Sequence, residues 1–555
     1  MGKMKKSSFK QGAFIATFAI ILTKIIGIIY VVPFYKVIGE QGGALYGYAY
    51  TIYATFLSIS TVGIPLAISK LVSEYNALGY YHTRERVYKQ GRRVIMAFAI
   101  VIFALLFIFA EPIAKMIIGD IEGGNTIEDI VYVIRVIATA ILVIPSLSVS
   151  RGYLQGNKYM TESSLSQVIE QLFRVAIVVF GSYLAMKLSH DVRTSVAVAC
   201  FGATIGGLFA FFYLRIKIKT NKDIFLVNQK QKEEEKKITT KEIWIKIIKY
   251  AVPFILIDAV GNACALINMF TVVKILVNHT GYTIAKAETV MGVLTTWGVK
   301  LNQIIIAIAT GLVTSLLPHI TSSYVKNDMD SVRKRVNEAY TILLYFGVPM
   351  TIGLSFLAKP VWEVFYQNHG LAASVFSVFI FAAIASSLYT ITLIIMQSVN
   401  KYKVVFIALG VELILKAGLQ YPLMVCAYKL GLPPYVGTIS GTLISLSATY
   451  IISIIYMIKV MKISMKDTFK GLFWILFGSG AMLASLFILR IFIDTVPTSR
   501  TNAIIIIVIY ALVGGLVYFI FTYKPLFKTV IAKELMGKIK KIFKKSGDKN
   551  EIKKQ

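Results

Sequence analysis

The sequence predicts an all-α polytopic membrane protein, with two pseudo-symmetric six-helix lobes around a central cavity and two extra C-terminal helices. Three observations predict it. About fourteen apolar segments, each long enough to cross a bilayer, run from Phe9 to Tyr523. The first six resemble the next six at an offset of about 249 residues. Lys24 and Lys300 lie deep within two of these segments, where a charge is costly.

Composition fixes the class. Hydrophobic residues make up 56% and charged residues only 16% of the chain, whereas a soluble domain carries about 25% charged. A spanning helix needs about 20 apolar residues. Runs such as Phe98–Ala110, Ile130–Ile144 and Ile504–Thr522, with their flanks, reach that length and keep recurring. The longest polar stretch, Lys217 to Glu242, is linker-sized, so no room is left for a separate catalytic domain. The spans are assigned to 9–38, 44–70, 92–118, 127–150, 163–187, 193–217, 244–277, 288–318, 337–358, 371–397, 404–428, 434–459, 470–493 and 501–523. Segment 9–38 is too long for a signal-peptide core and is read as a retained first helix.

The net charge of +31 is distributed by loop. Basic residues collect at the N-terminus (Lys3 to Lys10), between spans two and three (Arg84 to Arg93), and after span six (Arg215 to Lys237). They recur around Arg333–Arg335, from Lys459 to Lys470, and from Lys538 to Lys545. The intervening loops are neutral or acidic, with Glu40, then Asp120, Glu122, Glu128 and Asp129. This is the positive-inside pattern. It places both termini in the cytoplasm, requires an even number of spans, and points to membrane lipids rather than nucleic acid as partners. Cys200, Cys264 and Cys426 stand singly inside apolar segments, without metal-ligand spacing, so neither a disulfide nor a metal nor another cofactor is expected.

The chain divides into an N-lobe (1–218), a cytoplasmic linker (219–243), a C-lobe (244–460), helices thirteen and fourteen (461–523) and a basic tail (524–555). The repeat is visible residue by residue. Ser73, Tyr75, Arg84, Arg86 and Val87 match Ser322, Tyr324, Arg333, Arg335 and Val336 without a gap. Asn157-Lys158-Tyr159 matches Asn400-Lys401-Tyr402, and Glu170 with Arg174 matches Glu412 with Lys416. Six spans per copy keep both copies in one orientation, with a cavity between them.

The charges inside the spans are the candidate site. Lys24 lies roughly 18–21 Å from either end of its helix at 1.5 Å per residue, too far to snorkel. It faces either a cavity or a carboxylate such as Glu170 or Asp258. Thr296, Lys300, Gln303, Ala307, Thr310 and Thr314 share one helix face. Thr51, Ser58 and Thr61 form a similar stripe beside Tyr46, Tyr50 and Tyr53. Such stripes line a hydrated cavity or glue helices together. Glu170 with Arg174, and Glu412 with Lys416, are i,i+4 pairs that neutralise each other within a helix. The other reading takes Glu412, Asp258 and Thr442 as parts of a coupling-ion site. Cations inside a duplicated bundle imply a transporter of an anionic substrate.

Thr23-Lys24-Ile25-Ile26-Gly27 and Phe34-Tyr35-Lys36-Val37-Ile38-Gly39 resemble the first helix of the MurJ-type lipid II flippases. Leu45-Tyr46-Gly47-Tyr48-Ala49-Tyr50 and the tract Ser60 to Lys70 resemble the SpoVB branch, and Leu316-Leu317-Pro318 with Ser322 resembles the end of the family's eighth helix. The resemblance implies alternating access and transfer of an undecaprenyl-diphosphate-linked cell-wall precursor from the inner to the outer leaflet of a bacterial cytoplasmic membrane. It implies no enzyme activity, a monomer, contact with the cell-wall synthesis machinery, and coupling to Na+, H+ or the membrane potential. It also implies that the last two helices line a groove for the lipid tail. Lys24 falls on the family's first-helix arginine, and Lys300 within one position of its eighth-helix arginine. Tyr30 and Val31 replace an arginine and an aspartate, and the second-helix arginine falls near Ser58. With Gln303, the implied substrate-binding set is Lys24, Lys300, Tyr30 and Ser58. The alternatives are another polysaccharide-unit flippase, a multidrug antiporter of the same superfamily, and a membrane-embedded glycosyltransferase using the acidic loop 111–129.

Overall fold

The protein is described by a computed structural model over residues 19, 22–23, 26–27, 29–58, 63–119, 124–221, 238–367, 370–399 and 401–526. Lys24, Thr61, Asp120, Glu122 and Asn400 lie outside the described residues, as do the side chains of Thr310 and Thr314. Among the described residues the secondary structure is helical, with no strand. Among the described residues, twelve helices are long and apolar enough to cross a membrane.

In chain order the helices are α1 (Val31–Ser58), α2 (Ile64–Leu78), α3 (Tyr81–Ile108), α4 (Ala110–Ile118), α5 (Ile127–Gly156), α6 (Met160–Ala176), α7 (Ser182–Ser189), α8 (Val192–Thr220), α9 (Thr240–Thr280), α10 (Ile284–Gly292) and α11 (Gly298–Val325). They continue with α12 (Met329–Phe356), α13 (Ala358–Tyr366), α14 (Leu371–Phe379), α15 (Phe381–Ser398), α16 (Tyr402–Lys429), α17 (Tyr435–Lys459), α18 (Lys466–Phe492) and α19 (Arg500–Thr522). Single π turns, Ile177–Gly181 and Val293–Trp297, join α6 to α7 and α10 to α11.

Local sequence sets the boundaries. Gly39 kinks α1 at φ 65°, a left-handed value that glycine adopts without a Cβ clash, and this is where the first two predicted spans divide. Thr126 and Asp129 form a reciprocal capping box at the start of α5. Asp191, Thr239, Asp328 and Ser499 cap α8, α9, α12 and α19. The basic residues 84–93, expected on a loop, instead ride on α3, which begins at Tyr81 rather than near residue 92. The helix starts this early because Thr83, Arg84, Val87 and Gly91 already form a buried face along it.

The chain forms two compact units. The first comprises Met1–Gln303 and Val405–Ser445, and the second Ile304–Val404 and Leu446–Gln555. In the first unit, α5 is the centre, with Ile130, Val133, Ile134, Ile137 and Leu147 fully buried. Small residues let its neighbours close in. A Cβ at Gly152 would lie 2.5 Å from the Pro65 carbonyl oxygen, and one at Gly206 2.5 Å from that of Glu170. Arg84, 1% exposed, braces one end by donating to Glu85, Asn76 and Asn157.

In the second unit, α12, α18 and α19 pack together. The Tyr518 hydroxyl donates to the Tyr345 carbonyl oxygen at 2.8 Å, and Asn337 Oδ1 accepts from Thr468 N–H and hydroxyl at 3.1 and 2.7 Å. Phe473, Leu476, Phe487, Ile488, Leu512 and Leu516 form an exposed apolar flank on α18 and α19.

Candidate functional site

The site grows from an ionic triad inside the first unit. Glu170 and Arg174 stand one turn apart on α6, so their side chains share a face. Arg174 Nη2 donates to Glu170 Oε1. Arg151, from the last turns of α5, donates from Nη2 to Glu170 Oε2 at 2.9 Å and from Nε to Ser166 Oγ at 2.8 Å. The three side chains keep 12–17% of their surface exposed. Arg174 Nε is buried without a hydrogen-bond partner among the described residues. The expected neutral pair is therefore one carboxylate shared between two guanidinium groups.

A tyrosine wall on α1 faces this triad. Tyr46, Tyr50 and Tyr53 recur at helical spacing, their rings 5.6 Å apart in sequence, and all three lie in the electrostatic field of Arg174. Lys300, near the start of α11, joins them. Its Nζ stands 5.3 Å from the centroid of the Tyr30 ring, and among the described residues its charged and titratable neighbours include Tyr30, Tyr50 and Arg174. Lys300 makes no ion pair with a described carboxylate. The structure thus brings together Lys300, Tyr30, Glu170 and Arg174, and Gln303 follows three residues after Lys300, half-buried.

The polar stripe of the eighth span divides. Thr296, 3% exposed, donates to the Gly43 carbonyl oxygen at 2.8 Å, so it belongs to a helix seam and not to a cavity wall. Ser58, at the end of α1, is 4% exposed. It meets the Asp258 carboxylate of α9, which also meets the Asn262 side chain.

The second copy of the i,i+4 pair behaves differently from the first. Lys416 is fully buried and donates to Gln420 Oε1 at 2.8 Å, Thr442 Oγ1 at 2.8 Å and the Thr438 carbonyl oxygen at 3.3 Å. These are neutral oxygens. Glu412, 1% exposed, lies 3.9 Å from the Cys264 sulfur instead. One repeat position thus holds an ion triad and its equivalent a cation in a cage of dipoles.

Two groups escaped the sequence reading. Arg151 falls just past the end of its apolar run, at 127–150, where an arginine looks like an interfacial flank; only its bond to Ser166 across the α5–α6 turn places it inside. Glu288, at the first residue of a predicted span, is fully buried. Its Oε1 accepts from the backbone and side-chain nitrogens of Asn125, each at 2.8 Å, and its Oε2 has no partner among the described residues. Asn125 Nδ2 also reaches the Gln41 carbonyl oxygen at 3.2 Å. Thr289 donates to Glu40 Oε2 at 2.6 Å. Among the described residues, no group of acidic, histidine or cysteine side chains could hold a metal ion.

Comparison with known proteins places this geometry. A family model described as polysaccharide biosynthesis protein matches residues 9–323. The lipid II flippase MurJ of Bacillus subtilis (strain 168) is 28% identical over 550 residues, covering 96% of this chain and 99% of that protein. Stage V sporulation protein B of the same organism is 25% identical over 370 residues, 66% of this chain and 69% of that protein. Among solved structures, a lipid II flippase MurJ in an inward closed conformation aligns with a TM-score of 0.67 at 16% identity, covering 93% of this chain and 100% of that one. An inward-facing multidrug resistance MATE family transporter aligns with a TM-score of 0.63 at 13% identity, covering 81% and 99%. The likeness to both structures is one of fold.

Proposed function

Because the chain belongs to the polysaccharide biosynthesis protein family, we propose that this multi-pass transporter moves a polyprenyl-diphosphate-linked cell-wall glycan across the bacterial cytoplasmic membrane. The headgroup travels from the inner to the outer leaflet by alternating access. One observation carries the reading: the Lys300 ammonium lies inside the helical bundle among Tyr30, Tyr50 and Arg174 rather than against any described carboxylate. A charge so placed is expensive unless it serves a polar pathway or an anionic ligand. Lysine offers a phosphate a point charge, where arginine would offer a fork.

The near full-length similarity to lipid II flippase MurJ supports this substrate class and a transport role rather than an enzymatic one. The exposed apolar flank of α18 and α19 offers a path for the polyprenyl tail while the headgroup is carried. With both termini cytoplasmic, the inside-negative potential favours outward movement of an anion by about 2.3 kcal/mol per charge per 100 mV. Na+ or H+ would then reset the empty carrier.

The test is rescue of a bacterium depleted of its lipid II flippase, with headgroup exposure measured at the outer surface. Growth with restored exposure supports the reading. Full-level membrane expression without exposure overturns it.

A further inference from the structure

Two arginines sharing one carboxylate inside a membrane bundle are not explained by neutralisation. Arg151 and Arg174 place two guanidinium groups on the single carboxylate of Glu170, and Lys300 adds a third cation in the field of Arg174. Each guanidinium gives Glu170 a single Nη2 contact, although both could engage a carboxylate or phosphate through two parallel bonds. Arg174 Nε is buried and donates to no group among the described residues. An interior cluster with excess positive charge is costly unless hydrogen-bonding dipoles or an anion complete it.

We propose that Glu170 is a tethered stand-in for the substrate: it occupies Arg151 and Arg174 in the empty protein, and the phosphate oxygens of the ligand displace it. This rests on the reading of the substrate as a lipid-linked diphosphate. The exchange is chemically matched, because carboxylate and phosphate present similar paired oxygens to a guanidinium fork. It is also matched in charge. A diphosphate can meet both arginines and Lys300 together, which the single charge of Glu170 cannot. The neighbouring Tyr46, Tyr50 and Tyr53 supply hydroxyls beside the same guanidinium. Ser166 anchors Arg151 through Nε, which leaves its Nη atoms free to change partner. In this chain the second and third cations of the site thus come from α5 and α6.

The exchange predicts effects of opposite sign, which a purely structural triad does not. Full-length protein in nanodiscs would be titrated with farnesyl diphosphate and, separately, farnesyl monophosphate. Glu170→Gln removes the internal competitor and should tighten diphosphate binding by about tenfold, roughly one charge-assisted hydrogen bond. Arg174→Gln should weaken it by about tenfold or more, with Arg174→Lys intermediate. The monophosphate should respond less to both. Should Glu170→Gln fail to fold, Glu170→Asp, whose shorter arm reaches the arginines poorly, should tighten binding in the same direction. Weaker diphosphate binding by Glu170→Gln or Glu170→Asp, in step with Arg174→Gln, overturns the exchange alone, provided Lys300→Ala also loses the ligand. Absence of diphosphate binding by the unaltered protein overturns the exchange and the substrate reading together.

Discussion

The hydroxyl of Thr296 donates to the carbonyl oxygen of Gly43 at 2.8 Å, and the next residue, Trp297, lies directly over the same glycine. A Cβ on Gly43 would sit 2.0 Å from Trp297 Nε1, and one on Gly47 2.1 Å from Thr295 Oγ1. The backbone of α1 therefore meets the π turn before α11 with no side chain between them. Gly47→Ala should cost about 1–3 kcal/mol by overpacking. It should also speed alkylation of a cysteine placed at the buried Ala44, in a background where Cys426 is serine. An unchanged alkylation rate would show that this seam does not control access.

Lys300→Ala should abolish headgroup export while membrane levels stay near normal. Lys300→Arg should retain most activity, because the point charge is kept. Export would be followed by surface exposure of the headgroup in depleted cells. Full activity of the alanine variant would remove Lys300 from the site.

Glu288 acts as an acceptor for two nitrogens of Asn125. Glu288→Gln keeps an acceptor oxygen and should melt within about 1 kcal/mol of the parent, whereas Glu288→Ala strands buried donors at about 1–3 kcal/mol each. Thermal melting in detergent separates the two. Equal losses would mean that the charge, not the acceptor, holds this end together.

Asp191 caps α8 and gives a pH signature. Partial burial opposes its charge, but the Thr194 hydroxyl and the N–H groups of Thr194 and Arg193 outweigh burial and hold the carboxyl below its usual 3.8. Its folded value is depressed, so its contribution is complete above 3.8 and is lost as pH falls through the folded value. Asp191→Ala should cost about 1 kcal/mol at neutral pH. Melting curves of parent and variant should converge on acidification; a constant gap would rule out the charged cap.

The orientation is checked by labelling. Thr498→Cys, on an exposed turn, should react from outside intact cells, and Asn327→Cys only after permeabilisation. Asn125, a natural choice from the sequence, is unsuitable because it is 7% exposed and bonded to Glu288. Reversed labelling would invert the topology.

The fold was legible because lipid leaves the backbone few options: apolar length and loop charge suffice to read helices and their order. Lys300 and the Glu170–Arg174 pair were legible for a related reason, since a charge within an apolar run is conspicuous. Arg151 and Glu288 were not, because each stands at the edge of a run, where charge is ordinary. Whether such a residue turns inward is decided by tertiary partners, here Ser166 and Asn125. The repeat also misled at one point. Glu412 and Lys416 copy the spacing of Glu170 and Arg174, yet Gln420 and Thr442 claim the lysine.

That claim has a consequence for energetics. An amide oxygen, a backbone carbonyl and a threonine hydroxyl are hard oxygen donors of the kind that surround a small metal cation. Here they surround the Lys416 ammonium. The shell is already filled by an amine nitrogen that is bonded to the chain and cannot dissociate. As long as Lys416 stays in place, those three oxygens already have a resident donor, and an arriving ion would have to displace it.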